Sequence, residues 1–414
     1  MTDFGITPNQ RRFVLLAAFL ALVFDGVELG LMPIASMSVS KDLLGDAYTD
    51  KLGGVWFARF TAALMLGAAI GGIALGNLGD RIGRTRAMGV CILIYSVFAA
   101  LGAFVETQQQ MLVLRFLVGL GVGGLWPNGV ALVAECWPKT SRPFVSGATM
   151  AGLNFGILLL SQFAQHWPIT TDSWRWLFQI AGLPAVLGVV VLLFLPESPK
   201  WLESRGSSKK KSSPLFDLFQ PSLIRCTLVG VAVSAIPMIG AWSASKWMIP
   251  WADTVAGATN LTYKAATQGW WALGATLGSF IGAQVAGWFG KRISYFVISL
   301  ATLIITVAMF QWTEPLQPSF HPVVFAQGFI ATLFFGWLAL FLPELFPVRV
   351  RATGSGLAYN SGRFATAAGV LASGAIFSWF GGSFPRVGAI CASIYSLGMV
   401  VIWLAPEATE SQET

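Results

Sequence analysis

Charge is what this sequence has least of: only 11% of its 414 residues are charged, against about 25% in soluble domains. A chain so poor in charge cannot cover its apolar surface in water. Histidine and cysteine are scarce too, with His166 and His321 far apart and Cys91, Cys136, Cys226 and Cys391 scattered singly without C-x-x-C spacing. That pattern gives neither a zinc site nor a disulfide framework, and the cysteines read as small hydrophobes. No nucleophile, base and orienting group occur together, so no enzyme and no cofactor are expected. The net charge of +7 could point to nucleic acid, but a nucleic-acid site needs a soluble basic face, which such a chain lacks.

Apolar residues are plentiful, at 55%, with a mean hydropathy of +0.68. They come in long runs such as 13–22 and 88–105, and roughly 20 apolar residues cross a ~30 Å hydrocarbon core. The sequence predicts about twelve spans, at 13–38, 55–78, 87–105, 111–134, 143–166, 175–195, 223–247, 265–289, 293–312, 320–343, 352–380 and 384–405. The expected class is therefore an all-α integral membrane protein in two six-helix halves, 1–196 and 223–414, joined by a polar linker at 197–222 that carries Lys209, Lys210 and Lys211. The first span follows Arg11 and Arg12, contains Asp25 and Glu28 and has no cleavage site, so it reads as a retained helix. With the N-terminus inside, about seventeen Lys and Arg face the cytoplasm and about five the opposite side. Positive charge stays inside, which predicts a multi-pass inner-membrane protein with both termini cytoplasmic.

The halves repeat. Glu135, Pro138, Arg142 and Gly147 recur 209 positions later as Glu344, Pro347, Arg351 and Gly356, and Gly79, Arg81 and Ile82 recur 211 positions later as Gly290, Arg292 and Ile293. Equivalent halves can hold a site between them and expose it alternately.

The loop after the second span reads Gly76-Asn77-Leu78-Gly79-Asp80-Arg81-Ile82-Gly83-Arg84, which resembles the G-x-L-x-D-R-x-G-R motif of the major facilitator superfamily. Arg115 to Gly123, ending the span at Glu135 and followed by Arg142, resembles the fourth and fifth helix region of sugar porters and metabolite-proton symporters. Pro196-Glu197-Ser198-Pro199-Lys200-Trp201-Leu202 is similar to the sequence after helix six in the same groups. The resemblance implies a twelve-helix transporter working by alternating access, with Gly76, Asp80, Arg81, Gly83 and Arg84 in a cytoplasmic gate. Glu135 with Arg142, and Glu344 with Arg351, sit at cytoplasmic helix ends and read as gate contacts. The seventh span lacks the paired glutamines of sugar porters and the fifth lacks the motif of drug exporters. Asp25-Gly26-Val27-Glu28 is similar to the D-G-x-D of organic-acid proton symporters, with Glu in place of the second Asp.

Ionisable groups at membrane depth are expensive and mark sites. Asp25 lies about 12 residues into its span, roughly 18 Å deep, with Glu28 on the same face one turn on. Carboxyls there can carry a coupling proton, or can be fixed in ion pairs. Arg363, about 11 residues into the eleventh span, offers a planar fork to a carboxylate, or pairs with Asp25 or Glu28. Arg59, Arg115 and Lys246 lie near predicted outer ends where long cations snorkel, although Arg115 is also a candidate partner for Asp25 or Glu28. Arg363 and Arg115 are the expected substrate-binding cations, and Trp126, Asn128, Asn154, Tyr359 and Asn360 are candidate cavity residues, with Gln162, Gln284 and Trp242 as weaker ones. These readings predict a monomeric, lipid-embedded importer of a small organic anion with protons. A sugar or polyol transporter is the alternative, and a membrane sensor that binds solute without moving it is a third reading.

Overall fold

In the computed structural model, residues 6–137, 142–205, 214–347 and 350–406 are described, apart from the side chains at 142–150, 204–205, 214–215, 283, 286 and 351–352. Twelve long helical segments account for most of them: α1 (Pro8–Leu44), α2 (Asp50–Ile82), α3 (Arg84–Leu101), α4 (Gln108–Cys136), α5 (Arg142–His166), α6 (Arg175–Phe194), α7 (Ile224–Ala256), α8 (Tyr263–Phe289), α9 (Lys291–Gln311), α10 (Phe320–Glu344), α11 (Arg351–Trp379) and α12 (Phe384–Leu404). Nine segments among the described residues are long and apolar enough to cross a membrane by length and composition. Helices α5, α8 and α11, of 25, 27 and 29 residues, bring the bundle to twelve.

Helix starts follow local chemistry. Thr7 and Gln10 form a reciprocal capping box at the start of α1, and Thr107 and Gln110 do the same for α4. Helix α7 departs from the sequence expectation. It does not stop near 247 but passes through a π turn at Gly240–Ala244 and a 3-10 turn at Ser245–Trp247, then runs helically over Met248–Ala256. Such turns interrupt the regular hydrogen bonding without ending a helix, so the Gly, Ser and Lys of this stretch mark an irregularity within the helical run and not its end.

Small residues draw the helices together. A Cβ on Gly67 of α2 would strike the carbonyl of Phe116 in α4, and one on Gly274 of α8 would strike that of Phe325 in α10. These glycines are 207 positions apart, so the two halves use the same contact. Gly83 (φ 111°) and Gly290 (φ 79°), also 207 apart, make the tight turns before α3 and α9. The counterpart of Gly290 is therefore Gly83 and not, as the 211-position match implied, Gly79, which lies inside α2.

Among the described residues the halves meet along several seams, of which three carry the contacts used below. Helix α2 packs on α11, with Gly54 against the Phe377 ring and Gly374 against Ala58. Helix α5 meets α8, where Asn154 donates to Ser279 Oγ at 2.8 Å and Gln268 to Ser161 Oγ at 3.2 Å. Helix α1 meets α8 where Lys264 Nζ donates to Ser38 Oγ at 3.0 Å. The Lys264 contact lies at the end of the bundle remote from the Asp80–Arg84 loop, called here the far end, and the loop's own end the basic end.

Candidate functional site

Arg363 sits where the halves join. Its Nη1 crosses from α11 to donate to the carbonyls of Ala68 in α2 and Gly123 in α4, both at 3.2 Å. The Gly123 carbonyl is free for this because Pro127, four residues on, has no N–H to offer it. Two carbonyl dipoles hold the guanidinium without neutralising it. Among the described residues no carboxylate lies within 4 Å of Arg363, although Asp25 is near enough to feel its charge. Asp25 is 2% exposed and its Oδ1 has no hydrogen-bond partner. Tyr359, one turn before Arg363, has its ring centroid 5.5 Å from the guanidinium carbon and stacks on Trp126 of α4 at 4.5 Å. Asn360 donates to Gly356 O in its own helix and lies against Gly72 of α2. Gly356, on the face shared with Asn360 and Arg363 by helical spacing, has no neighbouring atom within 4 Å of where a Cβ would stand among the described residues.

Glu28 is engaged differently. Its Oε2 pairs with Arg115 Nη1 at 3.2 Å, Arg115 Nη2 donates to the Glu28 carbonyl, and each side chain is 1% exposed. Arg115 is thus placed in a buried ion pair of the first half, away from the outer surface. Asn128 is spent on packing, with Nδ2 on the carbonyls of Leu75 and Gly124 and its Oδ1 against Gly79. Asn154 forms the α5–α8 seam. Gln162 faces a flank groove with Gln165 and Trp270, and Gln284 is exposed. Arg59 is exposed and lies over Trp56.

At the basic end, Arg84 pairs with Asp80 at 2.5 Å and with Glu135 at 3.5 Å. Asp80 is 65% exposed there. The Pro196–Leu202 segment closes over this group: Glu197 accepts from Thr85 N at 3.1 Å, Ser198 bonds Glu135, and Trp201 Nε1 donates to Asp80 O at 2.9 Å. Gly83 is pressed against the Glu197 carboxylate, so that turn has no room for a side chain. Gly76 lies beside Pro127, and Arg81 is exposed. In the second half Lys291 pairs with Glu344, the repeat counterpart of Glu135. Each of these ion pairs joins groups of one half. The side chains of Arg142 and Arg351 lie outside the described residues.

Lys246 does not snorkel. It is 1% exposed, and its Nζ sits 3.3 Å from the centroid of the Trp271 ring and 5.8 Å from that of Trp242, with no hydrogen-bond acceptor. A desolvated cation–π contact is worth about 2 kcal/mol, less than the several kcal/mol an isolated buried ion costs. The sequence signal was present in a lysine inside an apolar run with a tryptophan one turn before it, but the nine helical residues beyond it were not legible.

Two six-helix halves enclosing unneutralised charge at their junction define a membrane transporter of the major facilitator type, not an enzyme. The sequence matches the family model described as sugar (and other) transporter over residues 14–221, and the chain belongs to that family. It is similar to the cis,cis-muconate transport protein of Acinetobacter baylyi, at 30% identity over 89% of each chain. It is also similar to a probable 4-methylmuconolactone transporter of Cupriavidus pinatubonensis, at 28% identity over 84% of this chain and 80% of that one. The fold matches that of the xylose transporter XylE from E. coli in its inward-open conformation with a TM-score of 0.74, at 18% identity over 97% of this chain and 98% of the other.

Proposed function

We propose that the protein is a proton-coupled importer of a small organic anion, a monomer in an inner membrane with both termini and the basic end in the cytoplasm. The observation that carries this reading is Arg363, a half-buried cation at the junction of the halves that is held by carbonyls and has no carboxylate within 4 Å among the described residues. A substrate carboxylate supplies the missing counter-charge. Asp25, without a hydrogen bond and within the field of Arg363, carries the proton, while Glu28 is committed to Arg115. Protonation of Asp25 removes its negative charge from the surroundings of Arg363 and favours entry of the anion there, and release of the anion favours loss of that proton. The related transporters of muconate and methylmuconolactone support an organic acid as cargo.

Arg363→Lys keeps the charge and loses the fork. It is expected to weaken binding of a carboxylate such as benzoate by about 1.5–3 kcal/mol, read as ligand-induced thermal stabilisation of the purified protein. Unchanged benzoate binding would remove Arg363 from the anion site, and binding of xylose that carboxylates do not displace would replace the organic-anion reading with the sugar reading.

A further inference from the structure

We propose that Lys246 is a second anion subsite of this transporter, a carboxylate seat on the far-end side of Arg363 that selects planar, conjugated acids. The inference rests on the organic-anion reading above and names the class of acid. The seat is built, not incidental. The ammonium faces the Trp271 ring at 3.3 Å. That ring is fixed because Trp271 Nε1 donates to Gln327 Oε1 at 2.8 Å, while Gln327 Nε2 donates to Ser245 Oγ at 2.5 Å and Thr306 Oγ1 at 3.2 Å. Ser245 is the residue next to Lys246, so the irregular turns of α7, the tryptophan of α8 and the glutamine of α10 form one frame. Within it the Nζ is buried, has no acceptor and has no carboxylate within 4 Å among the described residues. A frame this ordered around an amine that has no acceptor leaves a partner to be supplied, and a carboxylate fits it. Trp242, one turn toward the basic end, is half-buried with its ring 5.8 Å from the same Nζ. A flat π-system whose carboxylate reaches Lys246 can lie along that ring. The seat is closed to solvent in this structure, so the transport cycle must open it for an anion to enter.

The test uses the full-length protein in detergent, with benzoate, cis,cis-muconate and saturated cyclohexanecarboxylate as probes, titrated by tryptophan fluorescence and by thermal shift. Lys246→Met is expected to lose at least tenfold in benzoate affinity and to melt no lower than the wild type without ligand, because it removes an unpaired buried charge. Lys246→Arg is expected to retain most of the binding. Trp242→Leu is expected to reduce the preference for benzoate over cyclohexanecarboxylate. Unchanged benzoate affinity in Lys246→Met overturns the subsite while leaving the Arg363 reading standing. A ligand-free melting point well below the wild type shows a structural lysine and also overturns it. A wild type that binds none of the three acids overturns both readings.

Discussion

Glu28 and Arg115 are each 1% exposed and hold one another at 3.2 Å, the arrangement in which removing one partner strands a buried charge at a cost of about 3–5 kcal/mol. Glu28→Gln and Arg115→Met are each expected to destabilise the protein on that scale, and the double variant by clearly less than their sum. A denaturation cycle in detergent reads the coupling, and additive losses would mean that the pair is not a unit. Arg363 and Lys246 are unlike this pair, since one rests on carbonyls and the other on an indole ring. Charges of this kind are legible as anomalies in the sequence, because an ionisable residue in an apolar run always needs an account. Their partners are not legible. Nothing in spacing alone shows that Asn128 turns to the Leu75 and Gly124 carbonyls, or that Pro127 frees a carbonyl for an arginine 236 positions away.

At the scale of elements, the far-end seam is fastened by Lys264, which is 3% exposed and bonds both Asp253 at 2.9 Å in its own half and Ser38 at 3.0 Å in the other. Lys264→Met removes the link to α1 and leaves Asp253 unpaired, so the population should shift toward states open at the far end. Position 58 reports the change, because Ala58 is 1% exposed and packs on Gly374 of α11. With the four native cysteines replaced, Ala58→Cys is expected to react several-fold faster with an impermeant thiol reagent when Lys264→Met is added. An unchanged rate would remove Lys264 from the seam's control. The twelve helices themselves were readable from apolar run length, and the repeat from its glycines and charges. The course of α7 was not, since a π turn keeps a helix going through residues that composition reads as its end.

For the molecule as a whole, Lys264 and Ser38 join the two halves at the far end, while the ion pairs described at the basic end stay within their own halves. On the proposed account, alternating access requires that closure pass from one side to the other as Asp25 exchanges its proton. The direct measurement is uptake of labelled benzoate into proteoliposomes under an inward proton gradient. The account predicts accumulation that collapses with the gradient, competition by cis,cis-muconate but not by xylose, and loss of accumulation in Asp25→Asn with benzoate exchange retained. Full accumulation by Asp25→Asn, or inhibition of uptake by xylose alone, would contradict it.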